Sequence, residues 1–320
     1  MARTRTEDAI RHQQRRGGIL LPMIEDLFKQ PIEIESQDDI DFIVLLLESQ
    51  MTRQQDRTSN PLFSPSQLAE CLRYVYLLKN HKELEIPKLA SVRIEPNFYF
   101  FNGNWLHIKW QFALFKLAKK INDPAIFTML GVEVPIVSKH KDHGGTVDAL
   151  CLVYTEPIIV DFKGLNVRTF SKIAAGNVPE QYLVQLADYG MLWNAAAKRG
   201  NGARITRALL MAENKGGPDK RHPIALHEAE VEISTYLPNV RSRLEDLREH
   251  ARQEKIPEPA CVSTSSFQFQ GCPFRKFCRQ EVQAVERRNR RAASKDSEGY
   301  RVATPGRRRN HRARRNSNGR

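Results

Sequence analysis

Gly144-Gly-Thr-Val-Asp-Ala-Leu-Cys-Leu-Val-Tyr-Thr-Glu-Pro-Ile-Ile-Val-Asp-Phe-Lys-Gly164 is the stretch on which the reading of this chain turns. It holds two apolar runs, Val147 to Tyr154 and Ile158 to Phe162, rich in β-branched residues and separated by Thr155-Glu156-Pro157. That pattern predicts two antiparallel strands joined by a tight turn. Successive side chains on a strand point to opposite faces, so Asp161 and Lys163 share one face and Phe162 takes the other. In such a hairpin the start of the first strand lies beside the end of the second, which brings Asp148 close to Asp161 and Lys163. Two carboxylates and an ammonium at one end of an otherwise apolar sheet are costly to bury without a use.

A divalent metal is such a use. Asp148 and Asp161 offer hard oxygen ligands to Mg²⁺ or Mn²⁺, which keep waters on their remaining positions. The ion can polarise a phosphoryl oxygen and activate a bound water, while Lys163 orients that water or meets charge building on the phosphate. The plain alternative is a surface hairpin carrying one Asp–Lys ion pair, worth about 0–1 kcal/mol.

The rest of the chain bounds the problem. Its 320 residues, 41% hydrophobic, suffice for one large domain or two modest ones with a real core. The longest apolar run of note, Phe42 to Leu47, is far too short to span a bilayer. The N-terminus carries no hydrophobic signal region, so a cytoplasmic protein with no membrane partner is expected. No Gly-x-x-x-x-Gly-Lys loop is present, which excludes a P-loop ATPase. The net charge of +13 is concentrated at one end: from Arg287 to Arg320 there are 13 Lys+Arg against two acids, Asp296 and Glu298. With almost no large apolar residue, 287–320 is expected to be a disordered Arg-rich tail. Arg307, Arg308, Arg309, Arg312, Arg314 and Arg315 would hold a polyanion through counterion release, without reading sequence. A solvated tail or a contact to an acidic protein is the alternative.

In chain order, residues 1–17 are basic, polar and expected to be flexible. Helices are predicted for Asp38 to Gln54, from the capping box Ser64-Pro65-Ser66-Gln67 to about Lys79, and for Asn97 to Lys120. A strand at Val132 to Ser138 precedes the hairpin. A helix follows at Val178 to Lys198, then a strand at Arg204 to Glu213 and a charged helix from Glu228 to Glu254, broken near Pro238. Pro257 to Cys278 reads as loop. These elements predict an α/β fold, a small mixed sheet flanked by helices with a helical N-terminal part. One domain is expected over 18–286, its core at about 97–215 and its ends at 64–80 and 257–280.

Four short motifs in this order resemble the RecB/AddB and exonuclease V type of nuclease domain in the PD-(D/E)xK superfamily. Gly103-Asn-Trp-Leu-His107 matches its early Gly-x-x-x-His element, and Gly145-Thr-Val-Asp148 its Gly-x-x-Asp. Asp161-Phe-Lys163 matches its Asp-x-Lys, and Gln185-Leu-Ala-Asp-Tyr189 its helical Gln-x-x-x-Tyr. The resemblance implies a restriction-endonuclease-like core, with His107, Asp148, Asp161 and the Phe162 carbonyl around the metal and with Lys163, Gln185 and Tyr189 completing the catalytic set. His107 could instead be a satisfied histidine at the edge of an aromatic core. Gln185 and Tyr189, four residues apart on one helix face, could simply pack. Glu133 lies near the hairpin but matches no motif.

The chain has five cysteines, of which Cys151 falls inside the first hairpin strand as a core thiol. Part of the resembled family carries a four-cysteine iron–sulfur cluster, one ligand before the catalytic segment and three after it. Cys71, Cys261, Cys272 and Cys278 fit that arrangement, Gly271-Cys-Pro-Phe-Arg-Lys-Phe-Cys278 resembling the last two ligands. The ten residues between Cys261 and Cys272 depart from the family's Cys-x-x-Cys. A four-cysteine zinc site or reduced free thiols are the alternatives to a [4Fe–4S] cluster.

The expectation is therefore a metal-dependent DNA exonuclease acting on single strands or ends in recombination, repair or replication, with endonuclease action as a variant. With no motor in the chain, a separate helicase or recombination protein would deliver the strand, and a compact nuclease with such a tail would suit a phage or a mobile element. A nucleic-acid-binding module without turnover and a packaging protein acting through its tail stay open.

Overall fold

The computed structural model of the chain describes residues 18–55, 63–68, 70–89, 95–200 and 202–299. Contact density divides the chain into two units, Met1–Ala260 and Cys261–Arg320, a boundary inside the stretch expected as one domain.

The first unit is the mixed α/β assembly that the pattern predicted. Helices α1 (Leu21–Leu27), α2 (Gln37–Gln55), α3 (Pro65–Leu68), α4 (Leu72–Asn80) and α5 (Glu95–Ile121) precede the sheet. Strands β1 (Phe127–Val137), β2 (Gly144–Val153) and β3 (Glu156–Leu165) follow, β2 pairing antiparallel with both β1 and β3. Helices α6 (Val167–Ala174) and α7 (Glu180–Gly200) lead to β4 (Arg207–Asn214), which pairs parallel with β3. Strand β5 (Leu226–Glu232) closes the sheet, in order β1-β2-β3-β4-β5, before α8 (Ile233–Arg252).

The sheet has two apolar faces because its strands alternate. Ala149, Cys151, Val160, Phe162, Leu209 and Met211 pack on Leu106, Trp110 and Leu114 of α5. Leu150, Ile159, Leu165, Ala208 and Leu210 pack on Phe170 of α6 and Leu186 of α7. With both faces covered, the central strands read as near-continuous hydrophobic runs. The alternation slips on two paired strands: Val147 of β2 and its partner Val134 of β1 pack on the α7 face, although Ala149 and Val132, of the same parities, pack on the α5 face.

Three local expectations are corrected. The hairpin turn is Tyr154-Thr155, with left-handed φ of 52° and 67°, and Glu156-Pro157 already belong to β3 opposite Val153 and Leu152. Two positive φ values in a two-residue loop match the strand twist, and Pro157 near the strand's start is tolerated. The helix expected from Ser64 to Lys79 is interrupted before Cys71, whose φ of −59° and ψ of 122° make it the extended N-cap of α4. The helix expected from Glu228 begins only at Ile233. His227-Glu-Ala-Glu-Val-Glu232 alternates as a strand, and Pro238 sits inside α8 without ending it. Glu228 then has a task that a helical reading hides. Its buried carboxylate accepts the backbone N–H groups of Ile19, Leu20 and Leu21 at 2.6, 2.8 and 2.6 Å and so caps α1.

In the second unit, Ser266 caps α9 (Phe267–Gly271) by accepting the Phe269 N–H, and α10 spans Arg275–Gly299. The stretch expected to be disordered from Arg287 is thus helical as far as Gly299. No helix among the described residues is long and apolar enough to cross a membrane.

Candidate active site

The site forms where β2 and β3 stop pairing. Their ladder ends at Ala149 opposite Val160. One step further, the Asp148 side chain replaces the ladder: its Oδ2 accepts the Phe162 N–H at 2.8 Å. Phe162 turns its ring the other way, fully buried and stacked on Trp110 at 6.5 Å. Asp161 stands on the α7 face, where its Oδ2 meets Lys163 Nζ at 2.7 Å and its Oδ1 accepts Gln185 Nε2 at 3.2 Å. Gln185 Nε2 also lies 3.3 Å from the Tyr189 hydroxyl. The hairpin therefore brings Asp148, Asp161 and Lys163 together, and α7 supplies Gln185 and Tyr189 on one face.

His107 arrives from the opposite layer. Its Nδ1 lies 3.2 Å from Asp148 Oδ1 yet without the geometry of a hydrogen bond, and it is buried with no hydrogen-bond partner among the described residues. Glu133 completes the group: ligand atoms of His107, Glu133 and Asp148 all fall within 4.8 Å of one another. Its Oε1 accepts Gln50 Nε2 and Gln111 Nε2, each at 2.8 Å, and Gln111 also donates to the Asp148 carbonyl at 2.8 Å. Glu133 adopts φ of 50° in mid-strand, next to a register shift between Met129 and Gly131. Such a conformation costs about 1–3 kcal/mol in a non-glycine residue and clusters at functional sites.

The donor set suits a hard divalent cation. Cis ligands around an octahedral ion at 2.0–2.1 Å stand about 3 Å apart, close to the His107–Asp148 spacing. An imidazole nitrogen and carboxylates suit Mn²⁺ as well as Mg²⁺.

The two aspartates differ electrostatically. Burial pushes Asp161 up to about 6, the nearby Asp148 charge adding to it against the pull of Lys163 and His107. Burial also opposes ionisation of Asp148, but His107, Lys163 and the Phe162 N–H outweigh it and hold that carboxyl below its usual range. For His107 burial favours the neutral ring, and the Asp148 charge overcomes it and raises the pKa. Lys163 is likewise raised: burial is outweighed by Asp161 and Asp148.

Cys151 is a core thiol pushed up to about 12 by burial. Cys71 belongs to the first unit, and Cys261, Cys272 and Cys278 to the second. Arg307, Arg308, Arg309, Arg312, Arg314 and Arg315, with residues 1–17, lie outside the described residues. Sequence reasoning left out Glu133, Gln111 and Gln50. Gln111 follows His107 by four residues on one helix, a spacing that could have marked it.

No family model matches the chain, and no curated protein matches it. Among solved structures the chain is similar to the SSO0001 protein, at 16% identity and a TM-score of 0.40 over 74% of this chain and 96% of that one. It is also similar to an alkaline exonuclease, LHK-Exo, from Laribacter hongkongensis, at 13% identity and a TM-score of 0.31 over 62% of this chain and 97% of that one. The complex of LHK-Exo with dAMP matches at 11% identity and a TM-score of 0.30, over 60% and 94% of the two chains.

Proposed function

We propose that this chain is a divalent-metal-dependent DNA nuclease that hydrolyses phosphodiester bonds of single strands or ends. The observation that carries the proposal is the grouping of His107, Glu133 and Asp148, whose ligand atoms lie within 4.8 Å of one another, with Asp161 and Lys163 on the adjoining strand. His107, Glu133, Asp148 and Asp161 would hold Mg²⁺ or Mn²⁺, joined by the Phe162 carbonyl. The bound ion would polarise the scissile phosphate and acidify an attacking water.

The protein's own groups do the rest. Asp148, kept ionised by His107 and the Phe162 N–H, is the permanent anion of the site. Asp161 fixes Lys163 Nζ at 2.7 Å, so the ammonium is placed to orient water and to donate to phosphoryl oxygens as charge builds there. Gln185, buttressed by the Tyr189 hydroxyl, keeps Asp161 in that position. The Arg-rich stretch after residue 300 would retain substrate without sequence preference. A four-cysteine cluster from Cys71, Cys261, Cys272 and Cys278 and delivery of the strand by a separate helicase remain part of the proposal, supported by cysteine order and by the absence of a P-loop in the sequence.

The test is cleavage of end-labelled single- and double-stranded DNA with Mg²⁺ or Mn²⁺, comparing the intact chain with Lys163→Ala and Asp161→Ala. Metal-dependent degradation lost in both variants, with DNA binding kept, is the expected result. An intact chain that cuts nothing with either metal, or variants that cut equally well, would leave a binding module without turnover.

A further inference from the structure

Beyond Ala149 and Val160 the strands carrying Asp148 and Asp161 are no longer paired backbone to backbone, and the one bond described across them there, Phe162 N–H to Asp148 Oδ2, is made by a side chain and leaves the start of β2 to be held by something else. Helix α7 crosses that gap. On the β3 side Gln185 donates to Asp161 at 3.2 Å. On the β2 side Asp188 Oδ2 lies 2.6 Å from His143 Nε2, the residue immediately before β2. The Tyr189 ring also packs on Gly145, where a Cβ would come within 3.2 Å of its Cε1 and 2.9 Å of Pro65 Cδ. Gln185, Asp188 and Tyr189 stand at i, i+3 and i+4 and share one helix face.

The pair is not an obvious source of stability. His143 is 1% exposed and Asp188 0%. Asp188 Oδ1 has no hydrogen-bond partner among the described residues. Buried ion pairs often contribute little net stability compared with apolar residues of the same volume, and their best-attested use is to fix register. The neighbouring Asp142 is tied separately, to Arg248 of α8 at 2.9 Å, which leaves His143 as the polar link from this turn to α7.

We infer that His143 and Asp188 are positioning residues: their pair pins α7 to the start of β2 as Gln185 pins it to β3, and so sets the spacing of Asp148 and Asp161 for a shared metal ion. Neither touches the reacting atoms. The inference rests on the nuclease reading above.

Its test uses the full chain with His143→Ala, Asp188→Ala, the double variant and the conservative Asp188→Asn. Mn²⁺ affinity is read by electron paramagnetic resonance, the single-turnover rate at saturating DNA by cleavage, and metal-free DNA affinity by anisotropy. Each alanine variant should weaken Mn²⁺ binding and slow the saturated rate about tenfold, the scale of lost ligand-orienting contacts, with DNA affinity unchanged. The double variant should be no worse than either single one, and Asp188→Asn, whose amide oxygen still accepts from His143, should recover most of the loss. Should the alanine variants fold poorly, His143→Phe gives the same readout with the volume kept. Variants that lose only melting temperature, or losses that multiply in the double variant, overturn the pairing while leaving the nuclease standing. A wild-type chain that binds no Mn²⁺ and cuts no DNA overturns the nuclease reading and this inference with it.

Discussion

Replacing Lys163 by methionine keeps the apolar stem and removes the charge that stands 2.7 Å from Asp161 Oδ2. The consequence can be worked from the site. Two unit charges about 4 Å apart at an effective dielectric of about 20 interact by about 4 kcal/mol, or about 3 pK units. The Lys163 side chain is 24% exposed, so solvent screens part of that, and a rise of about 1.5 units is the reasonable figure. Asp161 begins at about 6 in the intact chain. In Lys163→Met it should titrate at about 7.5, so the carboxylate needed by the cation is scarce at neutral pH. The sign is definite: loss of a positive neighbour favours the protonated carboxyl, and the proton competes with the metal. At pH 6.5 Mn²⁺ affinity should fall about tenfold relative to the intact chain. At pH 9, where Asp161 is ionised in both, the variant should bind Mn²⁺ as tightly or more tightly, because the ammonium no longer repels the ion. Mn²⁺ titrations followed by electron paramagnetic resonance from pH 5 to 9 would show the two curves converging or crossing. Parallel curves, with the same pH midpoint in both proteins, would refute the electrostatic assignment of Asp161.

Two further outcomes follow from the same geometry. Gln111→Leu removes the amide that holds both Glu133 and the Asp148 carbonyl at 2.8 Å, so Mn²⁺ affinity measured by calorimetry should drop about 10–100-fold with little change in melting temperature. Glu228→Ala strips the acceptor from three backbone N–H groups at the start of α1 and should cost about 3 kcal/mol, a melting temperature lower by roughly 6–12 °C in a scanning calorimeter. Cleavage per folded molecule should not change in that variant, because Glu228 lies on β5 at the far edge of the sheet from the β2–β3 gap.

What was legible in the sequence was what strand and helix periods encode. Alternation alone placed Asp161 and Lys163 on one face and Phe162 on the other, and the hairpin placed Asp148 beside them. The four-residue spacing of Gln185 and Tyr189 put both on one helix face, but not which layer that helix covered. Glu133 was not legible, because its role depends on a left-handed φ in mid-strand that redirects the side chain, and no local residue preference announces that in a glutamate. Glu228 was misplaced because Glu-Ala-Glu-Val-Glu combines helix-forming residues with a two-residue period; pairing with β4 decided for the strand. The break before Cys71 similarly reflects a backbone conformation, not a helix-breaking residue type.

The placement of the acids at the end of the β2–β3 ladder explains why two aspartates on neighbouring strands behave differently. Had pairing continued, the Phe162 N–H would have gone to a β2 carbonyl and Asp148 would have had only side-chain neighbours. Instead its carboxylate takes that N–H and lies where His107, from the α5 layer, can approach it. Val147, the residue before Asp148, packs on the α7 face. Asp148 thus receives a backbone donor and an imidazole, while Asp161 receives Lys163 and one amide. Environments that drive two carboxyls apart commonly mark different roles. On the proposed metal-dependent reading, the division is between an Asp148 carboxyl held below its usual range and an Asp161 carboxyl, raised to about 6, that would yield its proton to an arriving cation. Metal binding should therefore release protons at pH 6 and few at pH 8, which makes the cation's arrival, rather than the fold alone, the event that completes the site.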